Sequence, residues 1–134
     1  MRVFVDSNVV VSSFTSNGLS RRLLDLLVAE HEIILSPQVF EESRRIITKK
    51  FVVNTGDLDE FFRALLESSE LSLPPYEKRI EVRDPDDVDI LAAALKSGAA
   101  YLVTGDKDLL DVDTHGEIAI VRPRELFDLL NLKD

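Results

Sequence analysis

The segment RDPDDVDILAAALKSGAAYLVTGDKDLL, residues 83–110, places a helix, a strand and an acidic turn in direct succession. Val88, Leu91, Ala92 and Leu95 recur at helical spacing. Asp84 stands where an N-cap belongs, and Pro85 where a missing N–H costs nothing. Gly98 follows the last periodic residue and suits the left-handed turn that ends a helix. The AYLV run at 100–103 then reads as a strand, with Thr104 and Asp106 just beyond it.

Outward from this segment the same alternation continues in both directions. Strand-like runs occur at RVFV 2–5, EIIL 32–35, LSL 71–73 and IAIV 118–121. Helical stripes lie between them: Leu23, Leu24, Leu27 and Val28; Val39, Phe40, Ser43, Ile46 and Ile47; Leu58, Phe61, Phe62, Leu65 and Leu66; and finally Leu126, Leu129 and Leu130 behind Pro123. Phe14, Phe51, Phe61 and Phe62 fit core spacing and carry no claim of base stacking. Strands alternating with helices predict a three-layer α/β/α fold on a central, mainly parallel, five-stranded sheet. No repeat or low-complexity linker interrupts the chain, and the stretch least tied to a pattern is Pro74 to Arg83. At 134 residues, 45% hydrophobic and 31% charged, the sequence predicts one domain over residues 1–134 with a single core.

Composition excludes several chemistries. With no cysteine there is neither a disulfide framework nor a thiolate site, and with only His31 and His115 a histidine-built metal centre is not expected. The formal charge of −9 argues against binding nucleic acid through a broad basic surface. It is compatible with carboxylates gathered round a cation, because a bound ion reverses the field a phosphate meets. The apolar run in MRVFVDSN is too short for a signal peptide or a membrane span, so a cytoplasmic protein without membrane partners is expected.

In a parallel sheet the strands share one direction, and residues just past their carboxyl ends collect along one edge, where ligands bind. Asp6 follows the first strand, Ser36 the second, and Thr104 with Asp106 the fourth. Helix angle brings two further acids to that edge. Glu42 lies three residues after Val39 and four before Ile46, at the rim of the apolar stripe, whereas Glu41 points outward. Asp87 shares a face with Leu91 and Ala94. Carboxylates aimed at one volume raise each other's pKa unless a cation is present. All-oxygen ligation suits Mg²⁺ or Mn²⁺, which activate water and offset charge on a transferring phosphate. Ser7, Asn8, Ser36 and Thr104 are placed to orient a carboxylate or a water.

These segments also resemble a known family. VFVDSNVVVSS, SPQVFEESRRII and RDPDDVDILAAALKSGAAYLVTGDKDLL are similar to the PIN domain, and most of all to the PIN-family toxins of prokaryotic toxin–antitoxin pairs. The resemblance runs from the first strand to about Leu110. It maps the family's four acids onto Asp6, Glu42, Asp87 and Asp106. It implies a metal-dependent ribonuclease that cuts single-stranded RNA with Mg²⁺ or Mn²⁺, often a homodimer with an antitoxin protein encoded beside it.

Each residue also has a purely structural reading. Asp6 fits an N-cap, Glu42 a solvated helix position, the Asp84–Asp87 run a well-made helix start, and Asp106, Asp108, Asp111 and Asp113 a polar loop. Arg45 and Lys49, near Glu42, are the candidates to grip RNA phosphates, although Arg21, Arg22, Arg44, Arg45, Lys49 and Lys50 equally make a solvated face with pairs such as Glu41 to Arg45. Three other functions compete. A PIN-like scaffold can bind RNA or protein without cutting, which retention of all four acids argues against. A receiver-like signalling module lacks its acid pair at the first strand end here. A dehalogenase-type phosphatase wants a second Asp where this chain has Asn8.

Overall fold

On the first strand, β1 (Arg2–Val5), the side chains of Val3, Phe4 and Val5 are all 0% exposed. Successive strand residues point to opposite faces, so the sheet is covered on both sides at this strand. The computed structural model describes residues 1–131. After β1 come α1 (Ser7–Thr15), α2 (Leu19–Glu30), β2 (Glu32–Leu35), α3 (Pro37–Lys50), α4 (Thr55–Glu67), β3 (Ser69–Leu71), α5 (Pro85–Ser97), β4 (Tyr101–Val103), α6 (Lys107–Leu110), β5 (Ala119–Val121) and α7 (Pro123–Asn131).

The five strands pair in the order β3-β2-β1-β4-β5, and every pairing is parallel. The sheet is thus wholly parallel where a mainly parallel one was expected, with helices flanking it in a three-layer α/β/α arrangement. Phe4 stands opposite Ile34 on one side and Leu102 on the other, so β1 is the central strand of the sheet. From β1 the chain steps outward through β2 and β3, then returns to lay β4 and β5 on the other side. The order reverses between β1 and β4, the place where an open parallel sheet splits its loops apart and leaves a crevice.

Helix ends set where the crevice residues stand. Ser36 caps α3, accepting from Val39 N at 3.4 Å, with Pro37 in the first turn. Asp84 caps α5, accepting from Asp86 N at 3.0 Å, and Gly98 closes that helix at φ 71°, a conformation costly for a residue with Cβ. α1 packs on α2 and α3, and α2 packs on α7 and β2. Gln38 Nε2 donates to the Asp86 carbonyl at 3.2 Å, tying the first turns of α3 and α5 together.

Four local expectations need correction. The third strand is Ser69–Leu71, two residues earlier than LSL 71–73, because α4 ends at Glu67 and pairing with β2 begins at once. Leu73 is exposed, while Ser72 turns its hydroxyl onto the Ala93 carbonyl at 2.7 Å. Phe51 caps the end of α3 and is 42% exposed, outside the cluster in which Phe14, Phe61 and Phe62 pack edge to face. Val28, Leu66 and Leu129 lie at the rims of their stripes and are also exposed. Finally, the acidic segment after β4 is not a plain loop: it contains the single turn α6.

Candidate active site

Asp6 leaves β1 in extended backbone and caps α1, so the structural and functional readings of this residue coexist. Oδ1 accepts from Ser7 N at 2.7 Å, and Oδ2 from Thr104 Oγ1 at 2.7 Å and Asn8 Nδ2 at 3.3 Å. The carboxyl is buried, and burial pushes its pKa up. The bonds from Thr104 and Ser7 oppose that rise, while the charges of Glu42 and Asp106 add to it.

Two hydroxyls link the other acids to Asp6. Ser7 Oγ donates to Glu42 Oε1 at 2.8 Å, joining α1 to α3. Glu42 is half-buried and Glu41 exposed, as the helix angle required. Thr104 Oγ1, at the end of β4, accepts from Asp106 N at 3.0 Å and Asn8 Nδ2 at 3.1 Å, and Gly105 N returns a bond to Asn8 Oδ1 at 3.0 Å. Asp106 then caps α6 by accepting from Asp108 N at 2.9 Å.

Asp87, in the first turn of α5, completes the group. Its side chain is buried, and as a carboxylate its Oδ2 has no donor among the described residues. A buried oxygen without a partner is costly, and two remedies exist: a proton or a cation. Burial, a hydrogen bond with Asp106 that requires Asp87 to carry the proton, and the charges of Asp106, Asp6 and Asp84 together push its pKa up to about 8. Carboxylate oxygens of Asp87, Asp106 and Asp108 lie within 4.8 Å of one another, close enough for one ion to touch all three. An all-carboxylate set with an orphaned oxygen fits a hard divalent cation such as Mg²⁺ or Mn²⁺.

The structure therefore brings Asp6 with Glu42 through Ser7, Asp6 with Asp106 through Thr104, and Asp87 with Asp106. It does not bring Ser36 into this network, since that hydroxyl is spent on capping α3. Arg45 and Lys49 are both exposed, with Lys49 about 10 Å further down α3 than Glu42 at the helical rise per residue. Asp108 is the acid the sequence reading left in a polar loop. Its signal was the Asp-Lys-Asp spacing, in which the first Asp caps a turn and the second sits inside it.

In fold the chain is similar to a chain in the crystal structure of VapBC2 from Rickettsia felis bound to a DNA fragment from their promoter. The TM-score is 0.68 at 16% sequence identity, over 91% of this chain and 98% of that one. At such low identity the likeness speaks for the fold. No curated protein matches the sequence. The family model for the PIN domain matches residues 2–108, from β1 through the acidic turn after β4, and the chain belongs to the PIN domain family.

Proposed function

We propose that this chain, a single nuclease domain over residues 1–134, is a Mg²⁺- or Mn²⁺-dependent endoribonuclease that cuts single-stranded RNA in the cytoplasm. The observation that carries the reading is the orphaned, buried Oδ2 of Asp87 set among the carboxylates of Asp106 and Asp108. Such a cluster is unfavourable when empty and becomes favourable with a divalent ion. PIN-domain membership supports the same reaction class.

Asp87, Asp106 and Asp108 would hold the ion, with Asp6 beside them. When bound, a divalent ion helps a water lose its proton and offsets charge building on the phosphoryl oxygens. The chain's own residues do the positioning. Thr104, Asn8 and Ser7 N fix both oxygens of Asp6, and Ser7 Oγ aims Glu42 at the same edge. Held in this way, the acids need no reorganisation as the reaction proceeds.

The same proposal makes the chain the toxin of a toxin–antitoxin pair, working as a homodimer and held by an antitoxin protein. Two things support it. The similar fold comes from VapBC2 bound to promoter DNA. In addition, Val28 on α2 and Leu66 on α4 are large apolar side chains, each 47% exposed, of the kind that a protein partner covers. Among the described residues no helix is long and apolar enough to cross a membrane.

The test is cleavage of single-stranded RNA by the purified chain with Mn²⁺, with Mg²⁺ and with EDTA. Cleavage that needs the metal and vanishes in Asp6→Asn and Asp87→Asn supports the proposal. Binding without cutting in every metal condition points instead to a silent PIN scaffold, and cutting that persists in EDTA removes the metal from the reaction.

A further inference from the structure

The acids of the site do not all come from one side of the sheet. Crossovers between parallel strands are right-handed, so the outward steps from β1 to β2 and β3 lay α3 on one face, and the return from β3 to β4 lays α5 on the other. The packing agrees, with α3 resting on α1 and α5 reaching β2 from its own layer. Asp6 and Asp106 stand at strand ends between these layers. Glu42 belongs to the first layer and Asp87 to the second.

Three of the four spans in this group are closed directly. Ser7 joins Asp6 to Glu42, Thr104 joins Asp6 to Asp106, and Asp106 meets Asp87. The fourth span, from Glu42 to Asp87, crosses from one helical layer to the other, and packing between the two helices does little to fix it. Gln38 closes it. Its Nε2 donates to the Asp86 carbonyl at 3.2 Å, the only side-chain hydrogen bond between α3 and α5 among the described residues. Gln38 stands one turn before Glu42 on the same face of α3, and Asp86 directly precedes Asp87. A carbonyl has two lone pairs, so this bond need not compete with the ladder of α5. Bonds further along α5, from Ser72 Oγ to the Ala93 carbonyl and from Lys96 Nζ to those of Leu73 and Pro75, hold it to the segment before it and not to α3.

We infer that Gln38 is a positioning residue for the cutting reaction, bridging the two helical layers so that Glu42 and Asp87 keep one separation. The inference rests on the nuclease reading and adds a residue which that reading does not contain. Gln38 acts through the two acids and does not touch the substrate. A group held about 1 Å out of place can cost about a hundredfold in rate, whereas a half-buried amide bonded at the surface adds little to the fold. The signature is therefore a loss of turnover without a comparable loss of stability or of metal.

Single-turnover cleavage of a fluorescein-labelled single-stranded RNA of mixed sequence is measured with Mn²⁺ for wild type, Gln38→Met, Glu42→Gln and the double variant. Methionine keeps the length and helix propensity of glutamine and lacks its N–H. Gln38→Met is expected to slow cleavage about tenfold on its own, and by less than about twofold beside Glu42→Gln, where no carboxylate remains to be placed. Its Mn²⁺ affinity by isothermal titration calorimetry should stay within about twofold of wild type, because the carboxylates of Asp87, Asp106 and Asp108 lie together without help from α3. Its urea midpoint in EDTA should nearly match that of wild type, which shows that it is folded. An equal loss of rate in both backgrounds, or a Mn²⁺ affinity or urea midpoint that falls along with the rate, would make Gln38 a general brace of α5 and overturn the assignment. Cleavage by Gln38→Met at the wild-type rate would overturn it too, while the nuclease reading stands. If wild type itself cuts nothing with Mn²⁺, both readings fall together.

Discussion

Thr104 Oγ1 gives its hydrogen to Asp6 Oδ2 at 2.7 Å and receives one from Asp106 N at 3.0 Å. One buried hydroxyl thus orders acids from two strand ends, across the seam where the strand order of the sheet reverses.

Thr104→Val keeps the shape and removes all three bonds of the hydroxyl, leaving Asp6 short of a donor and both Asp106 N and Asn8 Nδ2 without that acceptor. Stability should fall by about 1–3 kcal/mol, measured as a lower urea midpoint at unchanged slope. Because the hydroxyl restrains the rise of the Asp6 pKa, the acid limb of the cleavage profile should also move to higher pH. Thr104→Ser should restore both. A valine variant as stable and active as wild type would show that the bond orders nothing.

A carboxyl whose pKa is raised by folding takes its proton more readily folded than unfolded. Its contribution to stability is therefore full at low pH and is lost as pH climbs from the ordinary 3.8 of Asp87 through about 8. Metal-free protein should accordingly lose stability between pH 5 and pH 8, by at most about 1.4 kcal/mol per unit from this one proton. Asp87→Asn should flatten that fall and melt higher than wild type at pH 8, unless the weakened helix start costs about 0.3–1 kcal/mol and masks the gain. Mn²⁺ at a hundredfold excess over its dissociation constant should stabilise wild type by about 2.7 kcal/mol and the variant far less. Scanning calorimetry in EDTA and in Mn²⁺ reads all of this, and parallel curves for the two proteins would remove Asp87 from any such cluster.

Glu42→Gln and Glu41→Gln alter neighbouring residues of equal helix propensity on α3. Only Glu42 accepts from Ser7 Oγ and lies half-buried toward the site. Glu42→Gln should lower cleavage by about a hundredfold or more, while Glu41→Gln stays within about twofold. Matched losses in a single-turnover assay would place the wrong face of α3 at the site.

Asp108 shares the ion-sized space with Asp87 and Asp106. Asp108→Asn should weaken Mn²⁺ binding by about tenfold or more in isothermal titration calorimetry, against little change for Asp111→Asn one helical turn further on. An unaltered isotherm for Asp108→Asn would confine the ion to the remaining acids.

Much of this geometry is legible in the sequence, and the reason is directional. Asp6, Thr104 and Asp106 lie just past strands, and Asp87 lies in the first turn of a helix with clear capping residues, so a parallel sheet gathers them whatever the details of packing. Glu42 was separable from Glu41 because α3 is long enough for its apolar stripe to define an angle. Asp108 was not legible, because α6 is a single turn and four residues carry no period. Ser36 was assigned to the site by position alone, and its position is equally that of a helix cap, which is the bond it makes. β3 itself was displaced because three edge residues give no alternation strong enough to fix a register.

The bond between Thr104 and Asp6 joins residues 98 positions apart, and Asp87 and Asp108 also come from the far half of the sequence. No contiguous fragment of the first two thirds contains a usable site. Under the nuclease reading, a polypeptide still emerging during synthesis stays harmless to RNA until β4 has docked beside β1 and the turn after it has closed. Parallel pairing at such separation is among the slower events in folding. Under the nuclease reading that delay is a built-in grace period, in which a partner protein can engage the α2 and α4 surface before the blade is assembled.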